Sequence, residues 1–422
     1  MSSDAQPTDP YRGVRDFYPA DWRILTSAFR TIRKEMELWG YEEYNASPLE
    51  RAELYESKTS EEIVSEQTYT FEDRGGRRVT LRPEMTPTFA RMLSARRREV
   101  PFPVRWYSIP NVFRYERPQR GRLREHYQLN VDLAGVPGIE ADIEIVAIAS
   151  SLLKSFGAVE KDFVIRISSR ELLTSACEAA HVSPDDTRSY IRLLDRKNKM
   201  TPEEFRAGVS ALADIDPLNL IEANDPKVID AKNKVTGVLA ELTRRGVTNV
   251  VFDPTITRGF DYYTGMVFEV FDTDVSNPRS LFGGGRYDGL VTLFGGDPIP
   301  CVGFGMGDVT LMDFLETHGL MPKSETAPTV YIGTPSAEDV PSAQLFANTI
   351  REQGISVLVH VNGKSLGDQI KDALKRNIPY FIAYGSNEAN SDSVTIKKLA
   401  ENSEESVSKE SLPHHLRSSL TY

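Results

Sequence analysis

Between Val104 and Gly135 the chain alternates apolar and polar residues with a period of two, the spacing that sends successive strand side chains to opposite faces. Tyr127, Leu129, Val131 and Leu133 share one face, and His126, Gln128, Asn130 and Asp132 share the other. In the preceding arm Val112, Arg114 and Glu116 alternate against Phe113 and Tyr115. The pattern predicts two strands with one face turned to a core and the other lined with hydrogen-bonding groups. Their connecting loop carries Arg117, Arg120, Arg122 and Arg124 around Gly121. A merely solvated outer face gives the same alternation. Amides and a carboxylate where solvent faces prefer Lys, Glu and Thr, and five arginines about one turn counting Arg114, favour a face that holds a polyanion, because the guanidinium fork suits phosphate and carboxylate.

Elsewhere the periodicity changes from element to element. Apolar residues at Leu25, Phe29, Ile32, Met36 and Trp39 predict a helix from about Asp21, stopped by Gly40. YEEYNASPLE follows as a short strand running into Pro48. Tyr69 to Glu72 and Arg78 to Arg82 read as strands about an Asp73-Arg74-Gly75-Gly76 turn. Thr86 before Pro87 reads as a helix N-cap, with Glu84 placed where a carboxylate meets an ammonium group. Ile139 to Gly157 has helical spacing, Phe163 to Ile167 and Val250 to Pro254 are extended, and 169–245 is mostly helical, interrupted by Pro184, Pro202, Pro217 and Pro226. In TRGFDYYTGMVFEVF, Tyr263, Gly265, Val267 and Glu269 alternate against Tyr262, Thr264, Met266 and Phe268, which predicts a strand with Arg258 and Asp261 at its mouth. Gly283-Gly284-Gly285 reads as a glycine run that lets backbone approach a ligand. IPCVGFGMGDVTLMDFL runs from strand into helix. After the linker MPKSETAP, residues 321 to 328, strands and helices alternate from Thr329 through Lys398, a βαβ layout.

Composition narrows the classes. The 422 residues suffice for two or three domains, and 40% hydrophobic with 26% charged content is that of an ordinary soluble chain. There is no apolar run of membrane-spanning length, and the polar start, MSSDAQPTDP, is expected to be disordered and is no signal peptide, so a cytoplasmic location is expected. Cys177 and Cys301 have no metal-ligand spacing and read as buried thiols. A net charge of −11 argues against nonspecific coating of nucleic acid, while leaving a local basic surface open.

FRYERPQRGR followed by REHYQLNVDLAG closely resembles motif 2 of class II aminoacyl-tRNA synthetases, in the form found in histidyl-tRNA synthetases. Further segments are similar to the same family in the same order. YEEYNASPLE resembles motif 1, LRPEMT the R-P-E-x-T segment, RGFDYY and GGRYD two histidine-specific motifs, and GMGDVTLMDFL motif 3. The resemblance implies an α+β class II catalytic domain over 1–320, an antiparallel sheet flanked by helices with a helical insertion at about 169–245, and a C-terminal α/β anticodon-binding domain over 329–422. It implies an enzyme that joins histidine and ATP, with Mg²⁺, to give histidyl-adenylate and then esterifies tRNA(His), as a homodimer with no DNA or membrane partner. The insertion is expected to contact the tRNA acceptor arm or to serve as a solvated packing domain.

Residue by residue, the resemblance implies Arg114 and Arg258 at the α-phosphate, with Arg258 also at the histidine carboxylate; Glu84, Thr86 and Gln128 at the α-amino group; Asp132, Tyr263 and Tyr287 about the imidazole; and Glu116, Arg122 and His126 about the adenine and terminal phosphates. No residue is assigned to the metal. The sequence departs from the family pattern at Thr310, where motif 3 has an arginine that clamps the γ-phosphate. Arg120 or Arg122 is expected to take that role. Two further departures are His126, where an aromatic ring is common, and Asp132, where glutamate is common. Thr310 keeps a second reading in play, a catalytically inactive paralogue acting as the regulatory subunit of ATP phosphoribosyltransferase. A pure RNA-binding descendant is the third.

Overall fold

The computed structural model describes residues 7–56, 67–119, 121–197, 200–258, 262–322 and 328–418. The first six residues, Arg120, Asp261 and most of the expected linker therefore lie outside the described residues. The chain divides into two compact units, Met1–Lys323 and Ser324–Tyr422.

In the first unit the alternation of Glu125–Ala134 is used in full. This strand pairs antiparallel with Val104–Ser108 and Asn111–Phe113 on one side and with Cys301–Gly307 on the other. From Cys301–Gly307 the sheet continues antiparallel through Ser280–Arg286, Met266–Asp272 and Phe163–Ser169. Parallel strands close both edges, Glu42–Glu43 beside Val104–Ser108 and Val250–Phe252 beside Phe163–Ser169, so the sheet is mixed rather than wholly antiparallel.

Leu129, Val131 and Leu133 pack on Leu25, Phe29, Ile32 and Met36 of helix Pro19–Leu38 and on Ile143 and Val146 of helix Ile139–Ser155. Each buried aliphatic side chain of this kind contributes about 1.5–3 kcal/mol. Across the sheet, helix Thr86–Arg96 sets Phe89 and Leu93 against Tyr262, Tyr287 and Leu290.

Among its described residues the expected insertion, 169–245, forms five α-helices, Arg170–Ala179, Pro184–Asp195, Pro202–Ser210, Pro217–Glu222 and Ile229–Arg244. Pro184, Pro202 and Pro217 start helices rather than break them. Ser183, Thr201 and Asp216 cap those helices by accepting from backbone N–H groups, and proline at the first helical position gives up only a hydrogen bond that no helix supplies there. Leu172, Tyr190 and Val238 belong to the same apolar core as the sheet, so these helices are packed onto it.

Several local expectations fail for identifiable reasons. Helix Thr86–Arg96 has Met85 at its N-cap with no side-chain cap, so Thr86 is the first helical residue and its hydroxyl is not spent on the helix end. The strand after Arg258 begins at Met266, four residues later than the alternation suggests, because Thr264 N turns to Arg286 O and Tyr262 packs against helix Thr86–Arg96. The glycine run lies within strand Ser280–Arg286, with Gly283 at the cavity. A Cβ on Gly284 would lie 1.9 Å from Gly303 O, so glycine there lets two strands approach.

The second unit has the order Val357–Val359, Val330–Gly333, Tyr380–Ala383, Ser393–Lys398, Ser403–Ser408, the first three strands parallel and the last two antiparallel. Val340–Arg351 and Leu366–Lys375 supply the connecting helices. No helix among the described residues is long and apolar enough to cross a membrane.

The end of strand Ser280–Arg286 is tied to the rest by a buried ion pair. Arg286 Nη2 donates to Asp142 Oδ2 at 2.9 Å and to Gly138 O at 2.9 Å, and Nη1 donates to Val136 O at 3.1 Å. Burial pushes the Asp142 carboxyl up to about 6 even beside this cation. Arg286→Met strands that carboxylate, and the expected loss is about 3–5 kcal/mol of unfolding free energy at neutral pH, read from urea melts. The double variant with Asp142→Leu should recover most of it.

Candidate active site

A cavity of about 1130 Å³ opens on the polar face of the sheet, larger than the usual small-molecule site. His126, Gln128 and Asn130 form part of its floor. Glu84 and Thr86 reach it from the start of helix Thr86–Arg96, Arg114 and Glu116 from the end of the first arm, and Arg122 from the loop. Arg258, Tyr263 and Tyr287 complete the set gathered from distant parts of the chain. Of the described residues expected at a site, only Asp132 does not line the cavity. It lies behind Tyr287, whose hydroxyl donates to Asp132 Oδ1. Its other oxygen is buried without a partner.

Positions are fixed by neighbours. Arg114 Nε donates to Pro83 O at 2.8 Å. Glu84 is 3% exposed, and its Oε2 accepts from Tyr262 OH at 2.9 Å. Arg258 has φ +56, a left-handed backbone that residues other than glycine rarely adopt. Its carbonyl accepts from Arg170 Nη2 at 2.8 Å, and its guanidinium donates to Glu269 Oε1 at 3.0 Å and Gly283 O at 3.1 Å. Despite burial, the facing Tyr263 and Glu269 hold the Arg258 pKa above its usual value. Burial, with the charges of Arg114 and Arg15, lowers His126 to about 3, so its ring is neutral at physiological pH.

Sequence reasoning did not single out Tyr262 and Glu269 as site residues. Tyr262 holds the Glu84 carboxylate and Glu269 holds Arg258. The alternation after Arg258 did contain Glu269, but only the folded strand shows that its carboxylate returns to that arginine. Thr255, Thr257 and Asp195 border the cavity from the insertion side, where Thr257 Oγ1 donates to Asp195 Oδ1 at 3.2 Å.

A largely antiparallel sheet with helices beneath it and an arginine-bearing strand pair over a polar face is the catalytic core of a class II aminoacyl-tRNA synthetase. Residues 13–309 match the family described as histidyl-tRNA synthetase, and residues 329–419 match the anticodon binding domain. The chain belongs to the histidyl-tRNA synthetase family. It is 40% identical over 418 residues to a histidine–tRNA ligase of Leptospira biflexa, covering 95% of each chain. With a histidine–tRNA ligase of Haloarcula marismortui it shares 35% identity, covering 96% of this chain and 97% of the other. The fold is similar to the histidyl-tRNA synthetase structure from Nostoc sp. PCC 7120, at 22% identity and a TM-score of 0.81, covering 99% of this chain and 100% of that one.

Burial raises the Asp132 carboxyl to about 7, with Tyr287's hydrogen bond opposing and Glu84's charge adding to the rise. Between the ordinary carboxyl pKa and this raised value the native state keeps a proton that the unfolded chain has lost. Stability therefore falls as pH rises through that window, by roughly 4 kcal/mol for a shift of this size. Asp132→Asn has no such proton. Denaturant midpoints between pH 4 and 8 should show the variant losing less stability than the parent, with the difference accumulating below about pH 7.

Proposed function

We propose that this cavity activates histidine with ATP to form histidyl-adenylate and pyrophosphate, and then transfers the histidyl group to the 3′ end of tRNA(His). The observation that carries the reading is the convergence of two cations, Arg114 and Arg258, with an ammonium-binding set, Glu84, Thr86 and Gln128, on one polar floor. Attack of the histidine carboxylate on the α-phosphorus brings two anions together, so the site must neutralise charge at the transferring phosphorus. Arg258, already holding a carboxylate in Glu269, is suited to do this with Arg114. The carboxylate oxygen forms a bond to phosphorus as the bond to the pyrophosphate oxygen breaks, and no protein nucleophile is required. In the second step the ribose hydroxyl of the terminal adenosine attacks the histidyl carbonyl and AMP leaves.

On this reading Glu116 accepts from the adenine amino group and the neutral His126 ring stacks on the base, while Arg122 faces the terminal phosphates. Tyr263 and Tyr287 meet the imidazole, and Asp132 acts from behind by orienting the Tyr287 hydroxyl. Specificity then comes from polar partners that a wrong side chain would leave unpaired. Mg²⁺ is commonly held by substrate phosphates with few protein ligands, and here it would arrive on the phosphates of ATP. The ion would supply charge neutralisation at those phosphates. Residues 329–419 and the insertion are the proposed tRNA contacts, and a cytoplasmic homodimer with 1–320 as catalytic domain, 321–328 as linker and 329–422 as anticodon-binding domain is the proposed organisation.

The regulatory-subunit reading retains one supporting fact. A Bacillus halodurans structure described as an ATP phosphoribosyltransferase regulatory subunit/histidyl-tRNA synthetase is 25% identical, with a TM-score of 0.74, and covers 90% of this chain. The anticodon-binding match and the near-full-length ligase relatives weigh against it.

Histidine-dependent exchange of labelled pyrophosphate into ATP, without tRNA, is the deciding assay. Exchange with histidine alone supports the activity, and its absence from folded protein returns the regulatory reading. Arg258→Ala should abolish exchange while leaving histidine binding weakened but measurable by calorimetry. Unchanged turnover in that variant removes Arg258 from its role.

A further inference from the structure

We propose that Arg279 is a substrate-binding residue that grips the γ-phosphate of ATP, from a loop held against the same helix that carries Thr310. The proposal rests on the reading of the cavity as an ATP site. Thr310 lines the cavity, but its hydroxyl donates to Leu281 O at 2.7 Å and lies 3.2 Å from Gly307 O, so its hydrogen is used by the backbone. One turn further along helix Asp308–Thr317, Asp313 borders the same space with a carboxylate. This helix therefore gives a polyphosphate no cation of its own. A cation for the terminal phosphate must come from a neighbouring element.

Arg279 lines the cavity at this end. It stands immediately before strand Ser280–Arg286, two residues from the carbonyl that accepts from Thr310. Its Nη2 donates to Gln119 Oε1 at 3.1 Å, across 160 residues of sequence. Gln119 and Arg122 are paired as a narrow antiparallel bridge with Gly121 at the tip, where φ is +75 and an added Cβ would come within 3.7 Å of Thr310 Cγ2. Arg279, the arginine-bearing turn and Thr310 thus converge on one spot. Arg122 reaches that region too, with its Nε 3.6 Å from Glu116 Oε2.

The loop that carries Arg279 is anchored. Asn277 Nδ2 donates to Asp272 Oδ2 at 2.8 Å and to Thr317 Oγ1 at 3.0 Å, and Asp272 Oδ1 meets His318 Nε2 at 2.8 Å. Thr317 and His318 end the helix whose first turn holds Thr310. Residues 277 to 281 therefore run alongside that helix from its last turn to its first, with Arg279 between the two attachments and Pro278 restricting the backbone just before it. An arginine held this way loses little freedom when it meets a phosphate, and its planar fork gives a charge-assisted bond.

The test compares ATP, ADP and histidine binding by calorimetry in Mg²⁺ buffer, with pyrophosphate exchange in parallel. In Arg279→Ala the ATP affinity should fall by about 10- to 100-fold, while ADP and histidine affinities stay within about threefold and the melting temperature is unchanged. Arg279→Lys should retain part of the ATP affinity. Adding Thr310→Arg to Arg279→Ala should restore part of it by placing a guanidinium on the facing wall. Unchanged ATP affinity in Arg279→Ala overturns the proposal, as does an equal loss for ATP, ADP and histidine, which marks a structural role. Parent protein that binds no ATP at all instead overturns the reading of the cavity, and the assignment of Arg279 falls with it.

Discussion

The structure depends on a single constraint, that strand Glu125–Ala134 must satisfy two environments at once. One face packs Leu129, Val131 and Leu133 on two helices, and the other offers His126, Gln128 and Asn130 to a cavity. A shift of register by one residue would exchange the faces, burying amides in a hydrocarbon core and exposing leucine to the site. The antiparallel partners on both sides hold the register, and Asp308 adds a lock by accepting from Tyr127 N at 3.0 Å while pairing with Arg15 at 2.7 Å. Packing and site geometry are therefore the same fact seen from the two sides of one sheet.

Charge is handled by partnership before any ligand arrives. Arg286 is spent wholly on structure, joining the sheet to the start of helix Ile139–Ser155. Arg258 and Glu84 are held by Glu269 and Tyr262 at the cavity wall, where they keep contact with the open space. Side chains aimed in advance lose less entropy on binding a charged substrate, and they answer charge that develops there without rearrangement. The left-handed backbone at Arg258 belongs to the same economy, since the Arg170 bond to its carbonyl holds a conformation that costs of order 1 kcal/mol or more.

Much of this architecture was legible in the sequence because it is local. The period-two run over residues 126–133, the helix through Leu25 and Met36 and the βαβ pattern after residue 328 all appear where the periodicity puts them. Strand Ser403–Ser408 and helix Leu412–Ser418 lie beyond that pattern. The strand reads SEESVS, and at the sheet edge it is held by ladder bonds and by Lys397–Glu404 pairing, with only Val407 packed on a core. An edge strand with so little apolar content carries no alternation to detect. Prolines at helix starts look like interruptions for a related reason, since a proline is the same letter whether it ends one helix or opens the next.

By itself the sequence determined which side chains share a strand face and which segments carry the arginines, because a strand's geometry repeats every two residues whatever surrounds it. Only the tertiary structure decided which of those groups meet. It put Asp132 behind Tyr287 rather than on the cavity wall, returned Glu269 to Arg258, and brought Arg279 to the turn that bears Gln119. Those pairings span 155, 11 and 160 residues. They follow from sheet order and loop anchoring, which depend on how every strand packs and not on any one segment's pattern.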